Sequence, residues 1–330
     1  MSTRLTSFSK ILIVLVVMVV LFFLFKKFIP QNDQKSADAT EIKTEKAKTN
    51  SETVKESKSS WNKSFNYTPT KPVNGKLKGV VELGASGFNS FIVNIDNNKN
   101  WELKKAEWGN SLVYDNMATS GDIREGLKRY ITKILDYGVD GRDIHFVVSS
   151  GAQKVDNTKK IIRELKNMGY VVNTVTPEQE AKYALKAVLP KRYKATAFVV
   201  DIGSGNTKIS WVENNGMTKG LETYGAKYYK NNVDDKAVYQ DVFNKSKMIP
   251  KSRTEVCFMI GGVPFNLAKE VRKDKERYTV LKDPEDYNAE GAKIKAGLNI
   301  YKAIKDATGC DEYVFDWDAN FTIGFLLGLK

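Results

Sequence analysis

Hydrophobic and polar positions follow one pattern twice along the chain. GVVELGASGFNSFIVNI from Gly79 and AFVVDIGSGNTKISWVE from Ala197 each read as an apolar strand ending in a carboxylate. A turn of Gly and Ser follows, then a second strand with apolar residues at alternate positions. The two carboxylates, Glu82 and Asp201, lie 119 positions apart, so the repeat is domain-sized and not the period of a solenoid. The expectation is a duplicated phosphate-binding hairpin facing itself across a cleft.

Between and after these hairpins the pattern alternates helix and strand. GDIREGLKRYITKILDYGV predicts a helix, IHFVVSS a strand, NTKKIIRELKNMG a helix with Ile161, Ile162, Leu165 and Met168 on one face, and YVVNTVT a strand. TPEQEAKYALKAVL opens a further helix, with Thr176 as N-cap, Pro177 in the first turn, and Gln179 and Glu180 at its positive end. Beyond the second hairpin a polar, tyrosine-rich stretch reads as helical, and EVCFMIGG as a strand whose Gly261 and Gly262 let backbone approach a ligand. GAKIKAGLNIYKAIKDATGCDEYVFDW predicts an amphipathic helix, a Gly-ended turn and a strand, and NFTIGFLLGLK a closing apolar helix.

The first quarter of the chain is different. Ile11 to Phe25 is an unbroken apolar run of 15 residues bounded by Lys10, Lys26 and Lys27, short but sufficient to span once the lysines snorkel. It reads as a retained single-pass anchor within residues 1–29, because the A-x-A-like site at Ala37–Ala39 stands far beyond the run. Residues 30–75 are rich in Lys, Ser, Thr, Asn and Glu and read as a flexible stalk, with Trp61, Phe65 and Tyr67 near its end placed to dock on the folded part. Two domains of similar size, 76–190 and 191–330, are then expected. Positive charges flank both sides of the apolar run and leave orientation open.

Composition narrows the chemistry. The net charge of +13 divides almost evenly: residues 1–75 carry 12 Lys and Arg against 6 Asp and Glu, the remainder 40 against 33. A mildly basic folded part suits a phosphate-bearing ligand, and without a basic-aromatic stripe nucleic acid is not expected as a partner. Cys257 and Cys310 have no disulfide or zinc spacing and read as free thiols. His145 is the only histidine and opens a strand, which excludes histidine-based metal sites and makes a serine triad a poor reading.

The order ELGASG, VVSSGA, TPEQEA, DIGSGNT, IGG and the segment from Gly297 to Gly328 resembles the exopolyphosphatase and guanosine pentaphosphate phosphatase (Ppx/GppA) family. That resemblance covers about Gly79 to Gly328. It implies an α/β, two-domain actin-like (ribonuclease H-like) ATPase fold with an interdomain phosphate-binding cleft, here with an N-terminal transmembrane helix added. It further implies that Ala85, Ser86 and Gly87, with Gly203, Ser204, Gly205, Asn206 and Thr207, cradle phosphate. Ser149, Ser150, Gly151, Gly261 and Gly262 line the same cleft, Glu82 and Asp201 hold Mg²⁺ directly or through water, and a carboxylate of TPEQEA serves as base. Glu180 is the first choice for that base and Glu178 the second.

This chain departs from the family at functional positions. Glu82 stands where relatives carry Asp, Lys208 where the loop is acidic, and Thr322 and Ile323 where an arginine and an acidic residue are usual. Lys208 either binds phosphate directly or abolishes metal binding. Three readings follow. One is a membrane-anchored hydrolase of terminal phosphoanhydrides in polyphosphate or guanosine penta- or tetraphosphate. Another is a catalytically degenerate phosphate or nucleotide sensor or scaffold at the membrane; a homodimer or a membrane-protein partner is open under every reading. The third is an actin-like ATPase. Such ligands, ATP included, are mainly cytoplasmic, which favours a cytoplasmic folded part slightly, whereas an uncleaved anchor usually leaves the following domain outside.

Overall fold

A computed structural model of the chain describes residues 63–84, 87–110, 120–153 and 155–329. They belong to one compact unit, Ser59–Lys330. The proposed anchor, most of the stalk and Trp61 lie outside the described residues. Among the described residues no helix is long and apolar enough to cross a membrane.

Each hairpin of the sequence becomes the start of a three-stranded meander. β1 (Lys76–Gly84), β2 (Gly87–Ile95) and β3 (Trp101–Asn110) are antiparallel, and β4 (Ile144–Val148) and β5 (Val172–Thr174) add in parallel to give the order β3-β2-β1-β4-β5. β6 (Ala197–Ile202), β7 (Asn206–Val212) and β8 (Thr218–Tyr224) repeat the meander, with β9 (Val256–Ile260) and β11 (Tyr313–Asp316) in parallel. β10 (Tyr278–Val280) closes that edge antiparallel to β11, so the order is β10-β11-β9-β6-β7-β8. The duplication seen in the sequence is therefore one of topology as well.

Period-two alternation sorts the strand residues into layers. Val80 and Val199 enter a central core between the sheets, while their neighbours Val81 and Val200 point outward. The outward face of the first sheet is covered by α1 (Ser120–Asp136) and α2 (Asp156–Asn167), through Ile123, Leu127, Ile131, Ile161 and Leu165. On the outer side of the second sheet are α4 (Asp235–Ser246), α5 (Gly262–Lys269) and α6 (Ala292–Thr308). Between the sheets lie α3 (Pro177–Val188) and α7 (Phe321–Gly328), which bury Ala184, Leu185 and Val188 against Phe321, Ile323 and Leu326. Both faces of β6 are buried, which explains its nearly continuous apolar run.

Two strands are not anticipated: the sequence pattern assigns β3 no element, and β8 falls within the stretch that reads as helical. β3, WELKKAEWGN, is an edge strand whose charges pair along it, Lys104 with Glu102 at 2.7 Å and Lys105 with Glu107 at 2.8 Å, so its alternation is hidden by charge. β8 is the other meander edge and is mostly solvent-facing. YVVNTVT supplies only three paired residues. The end of the polar segment docks as expected: Phe65 packs 5.5 Å from the rings of both Tyr193 and Phe258, and Tyr67 5.5 Å from that of Tyr278.

Candidate functional site

β1, β4, β6 and β9 all end on one side of the molecule, and the crevice beyond the carboxyl ends of such strands is where α/β sheets place ligands. Strand register sets what faces it. Glu82 is directly opposite Asn89, and Asp201 directly opposite Lys208, the corresponding pair of the second hairpin. Glu82 Oε2 accepts from Asn89 Nδ2 at 3.0 Å and from Asn320 Nδ2 at 3.0 Å, the latter residue being the N-cap of α7. Lys208 Nζ is 3.9 Å from Asp201 Oδ2 and 2.5 Å from Glu180 Oε2.

Glu180 owes its position to the start of α3. Thr176 and Gln179 form a reciprocal capping box, Gln179 N donating to Thr176 Oγ1 at 3.2 Å and Thr176 N to Gln179 Oε1 at 2.9 Å. That fixes the first turn and directs Glu180 inward, where it is 0% exposed. Its Oε1 accepts from the Ser150 backbone N–H, on the loop after β4. Asn206 closes the same corner by donating to Ser150 Oγ at 3.2 Å and Glu222 Oε1 at 2.6 Å.

The resulting cleft has a volume of about 420 Å³. Glu82, Ser149, Gly151, Asp201, Gly203, Ser204, Gly205, Asn206, Lys208, Gly261 and Gly262 all border it. Gly261 has φ 101°, and a Cβ there would lie 2.5 Å from Ile202 O and 2.6 Å from Asp201 Oδ1, so only glycine fits beside the carboxylate. Ala85 and Ser86 lie outside the described residues, and Gly87 pairs with Gly84 at the mouth of the first hairpin. Four expectations need correction. Glu180 is fully buried behind Lys208 and does not itself border the cleft. Glu178 is exposed on the outer side of the α3 start and does not border the cleft. Thr207 is fully buried away from it, because residues of β7 alternate and only its neighbours Asn206 and Lys208 face the ligand side. Ser150 contributes through Glu180 and Asn206, not to the cleft surface.

Several cleft residues escaped sequence reasoning. Trp108, Phe265, Phe315 and Trp317 form an aromatic wall, with ring centroids 6.1 Å apart for Trp108–Phe265, 5.3 Å for Phe265–Trp317 and 5.1 Å for Phe315–Trp317. Trp108 comes from the first sheet and the others from the second half, so only folding joins them. Trp317 is held by Arg272 stacked 3.7 Å above its ring and by Nε1 donating to Thr279 Oγ1 at 2.9 Å. Lys293, in the first turn of α6, also borders the cleft, and burial followed by the charge of Lys227 lowers its ammonium pKa. Asn89 was within reach of sequence reasoning, since aligning the two hairpins puts it opposite Lys208.

Electrostatics distinguish the two halves. Burial pushes the Glu82 carboxyl up to about 7, against the hydrogen bonds from Asn89 and Asn320. Burial also opposes the charge of Lys208, but Asp201 and Glu180 outweigh it and hold the ammonium above its ordinary range. The Mg²⁺ expected at Glu82 and Asp201 does not fit this donor set. One Glu82 oxygen is taken by two amides, and an ammonium already stands between Asp201 and Glu180. Among the described residues no group of three or more His, Cys, Asp or Glu side chains is arranged to hold a metal ion.

Glu82 gives a pH signature. Its folded pKa lies above the ordinary 4.5, so its contribution to stability is fully present below about pH 4.5 and is lost as pH rises through about 7. The full span is about 3 kcal/mol. Glu82→Gln removes that slope: urea midpoints at pH 5 and pH 8 then differ less than in the wild type, and an unchanged difference contradicts the assignment.

No protein-family model matches the sequence, and no curated protein matches it. Solved structures do match. The Aquifex aeolicus member of the Ppx/GppA protein family is 18% identical with a TM-score of 0.57, over 77% of this chain and 97% of that one. An exopolyphosphatase from Cytophaga hutchinsonii is 14% identical with a TM-score of 0.58, over 77% of this chain and 99% of that one. The resemblance read from ELGASG, VVSSGA, TPEQEA and DIGSGNT is thus matched in three dimensions, and the chain has the two-sheet, actin-like α/β fold of the Ppx/GppA structures.

Proposed function

We propose that the cleft binds a ring-bearing polyphosphate of the guanosine tetra- or pentaphosphate class and hydrolyses its terminal phosphoanhydride. One observation carries this reading: Lys208 and Lys293, a glycine turn and an aromatic wall share a single cleft, with Asp201 and Glu82 beside them. Phosphate oxygens fit the Gly203–Asn206 turn, Lys208 and Lys293, and a planar base fits Trp108, Phe265 and Trp317. Naked polyphosphate has nothing to place against that wall. The exopolyphosphatase that shares the fold supports phosphoanhydride chemistry.

In this reading a water oxygen attacks the terminal phosphorus, the bond to the bridging oxygen breaks with its electron pair going to the leaving phosphate, and Glu180 takes the water proton. Burial raises the Glu180 carboxyl above its ordinary range, which favours a proton acceptor. Glu180→Gln is expected to lower phosphate release from guanosine pentaphosphate by about 10²–10⁴-fold while leaving binding intact. A phosphate-release assay on the wild type and variant, with guanosine pentaphosphate, polyphosphate and ATP compared, tests this. An unchanged rate removes Glu180 from the role, and faster release from polyphosphate removes the ring-bearing substrate. A second reading, a sensor that binds without turnover, is favoured by the complete burial of Glu180 beneath Lys208. Tight binding with no phosphate release supports it over hydrolysis.

A further inference from the structure

We infer that Lys208 is a resident cation occupying the electrostatic place of a divalent metal, so that ligand binding in this cleft is metal-independent and the ligand itself uncovers Glu180. The inference rests on the proposal that the cleft takes phosphate. Its geometric basis is the register of the second hairpin, which sets Lys208 directly across from Asp201 and brings Nζ 2.5 Å from Glu180 Oε2 and 3.9 Å from Asp201 Oδ2. The Lys208 side chain is 8% exposed, so the ammonium is enclosed by these carboxylates and the cleft surface. Glu82, the third carboxylate, is served separately by the amides of Asn89 and Asn320. Every acidic group facing the site from β1, β6 and α3 thus has an internal partner.

Two consequences follow from charge. A hard divalent ion entering here must displace the ammonium or share the space with it against like-charge repulsion, so the resident cation excludes it. A polyphosphate entering at Ser204 and Gly205 brings several negative oxygens to the exposed side of Lys208 and competes with Glu180 for Nζ. As Nζ moves onto phosphate, Glu180 loses its counter-charge inside a buried site and its proton affinity rises. The same motion neutralises ligand charge and readies the carboxylate. In Glu180→Gln the contest is absent, so ligand binds at least as tightly as in the wild type.

The test uses the full-length chain and two probes, Mg²⁺ alone and GTP. Wild-type melting temperature is expected to be indifferent to Mg²⁺ up to about 10 mM, whereas Lys208→Gln, with its carboxylates uncompensated, is stabilised by Mg²⁺ in a saturable way. GTP binding by equilibrium dialysis is expected to agree within about threefold between EDTA and Mg²⁺ for the wild type. In Lys208→Gln it falls about tenfold or more in EDTA and is restored by Mg²⁺. Saturable stabilisation of the wild type by Mg²⁺, or loss of wild-type GTP binding in EDTA, overturns the inference. Should Lys208→Gln fail to fold, these two wild-type measurements decide it. If GTP binds in neither condition, the functional proposal falls, and the Mg²⁺ melting comparison alone judges Lys208.

Discussion

Lys208→Met is expected to lower the free energy of unfolding by about 3–5 kcal/mol at pH 7.5, because it strands a buried carboxylate. Glu180 is 0% exposed, and Lys208 is its charged partner at 2.5 Å; without it the Ser150 N–H remains as the hydrogen-bond donor to the carboxylate. Methionine fills most of the volume, so the loss reports charge and not a cavity. The melting temperature should drop on the order of 10 °C in a chain of this size. Lowering the pH to 5.5 should shrink the loss, since a carboxyl whose pKa is raised by burial then takes up a proton and ceases to be an uncompensated charge. Adding Glu180→Gln should recover at least half of it, giving a favourable coupling in a double-mutant cycle. Urea denaturation of the four proteins at the two pH values measures all of this. A loss that is independent of pH and not relieved by Glu180→Gln contradicts the pairing.

Gly324→Ala should cost about 3 kcal/mol or more, although alanine is the better helix former. A Cβ at 324 runs directly into the backbone carbonyl of Tyr183, so α3 and α7 must separate for it to fit. Backbone cannot rotate aside as a flexible side chain does. The same substitution at Gly328, one turn further along α7, meets only the Lys186 ammonium at 3.4 Å and the Tyr183 ring at 3.8 Å, and should change stability by less than about 1 kcal/mol. The consequence reaches the site, because α3 carries Glu180 and α7 begins at Asn320, the amide donor to Glu82. Gly324→Ala should therefore weaken GTP binding as well as lower the urea midpoint, while Gly328→Ala leaves both nearly unchanged. Equal effects of the two substitutions would refute the close-contact argument.

Thr322 and Ile323 show why the departures from the family pattern are compatible with a stable fold. Both are 0% exposed, and Thr322 is bound through its N–H and hydroxyl to Asn320 Oδ1, each at 2.8 Å. Here the segment caps α7 and steadies Asn320 beside Glu82.

The order of elements was legible because strong local patterns coincide with burial. The Thr176 capping box, the apolar run of β6 and the helix ending at Gly309, with φ 59°, are written in a few adjacent residues each. β3 and β8 were not, since edge strands bury one face at most and carry charge on the other, which erases the period. Motifs named Glu82, Asp201, Gly203, Ser204, Gly205, Asn206 and Lys208, which border the cleft, and Glu180, which lies buried behind it. Thr207 was misplaced because a motif names consecutive residues, whereas a strand sends alternate ones to opposite faces.

By itself the sequence determined the duplication, the two carboxylate-ended hairpins, the cap that starts α3 and the α/β order, all of which depend on local pattern and on residues close together in the chain. Only the tertiary structure decided that Lys208 neutralises Glu180, that Asn320 reaches Glu82 across 238 positions, and that Trp108 meets Phe265 to wall the cleft. Those pairings join residues from different elements, and whether a charged side chain ends beside water, a metal or an opposite charge is set by what packing brings within a few ångströms of it.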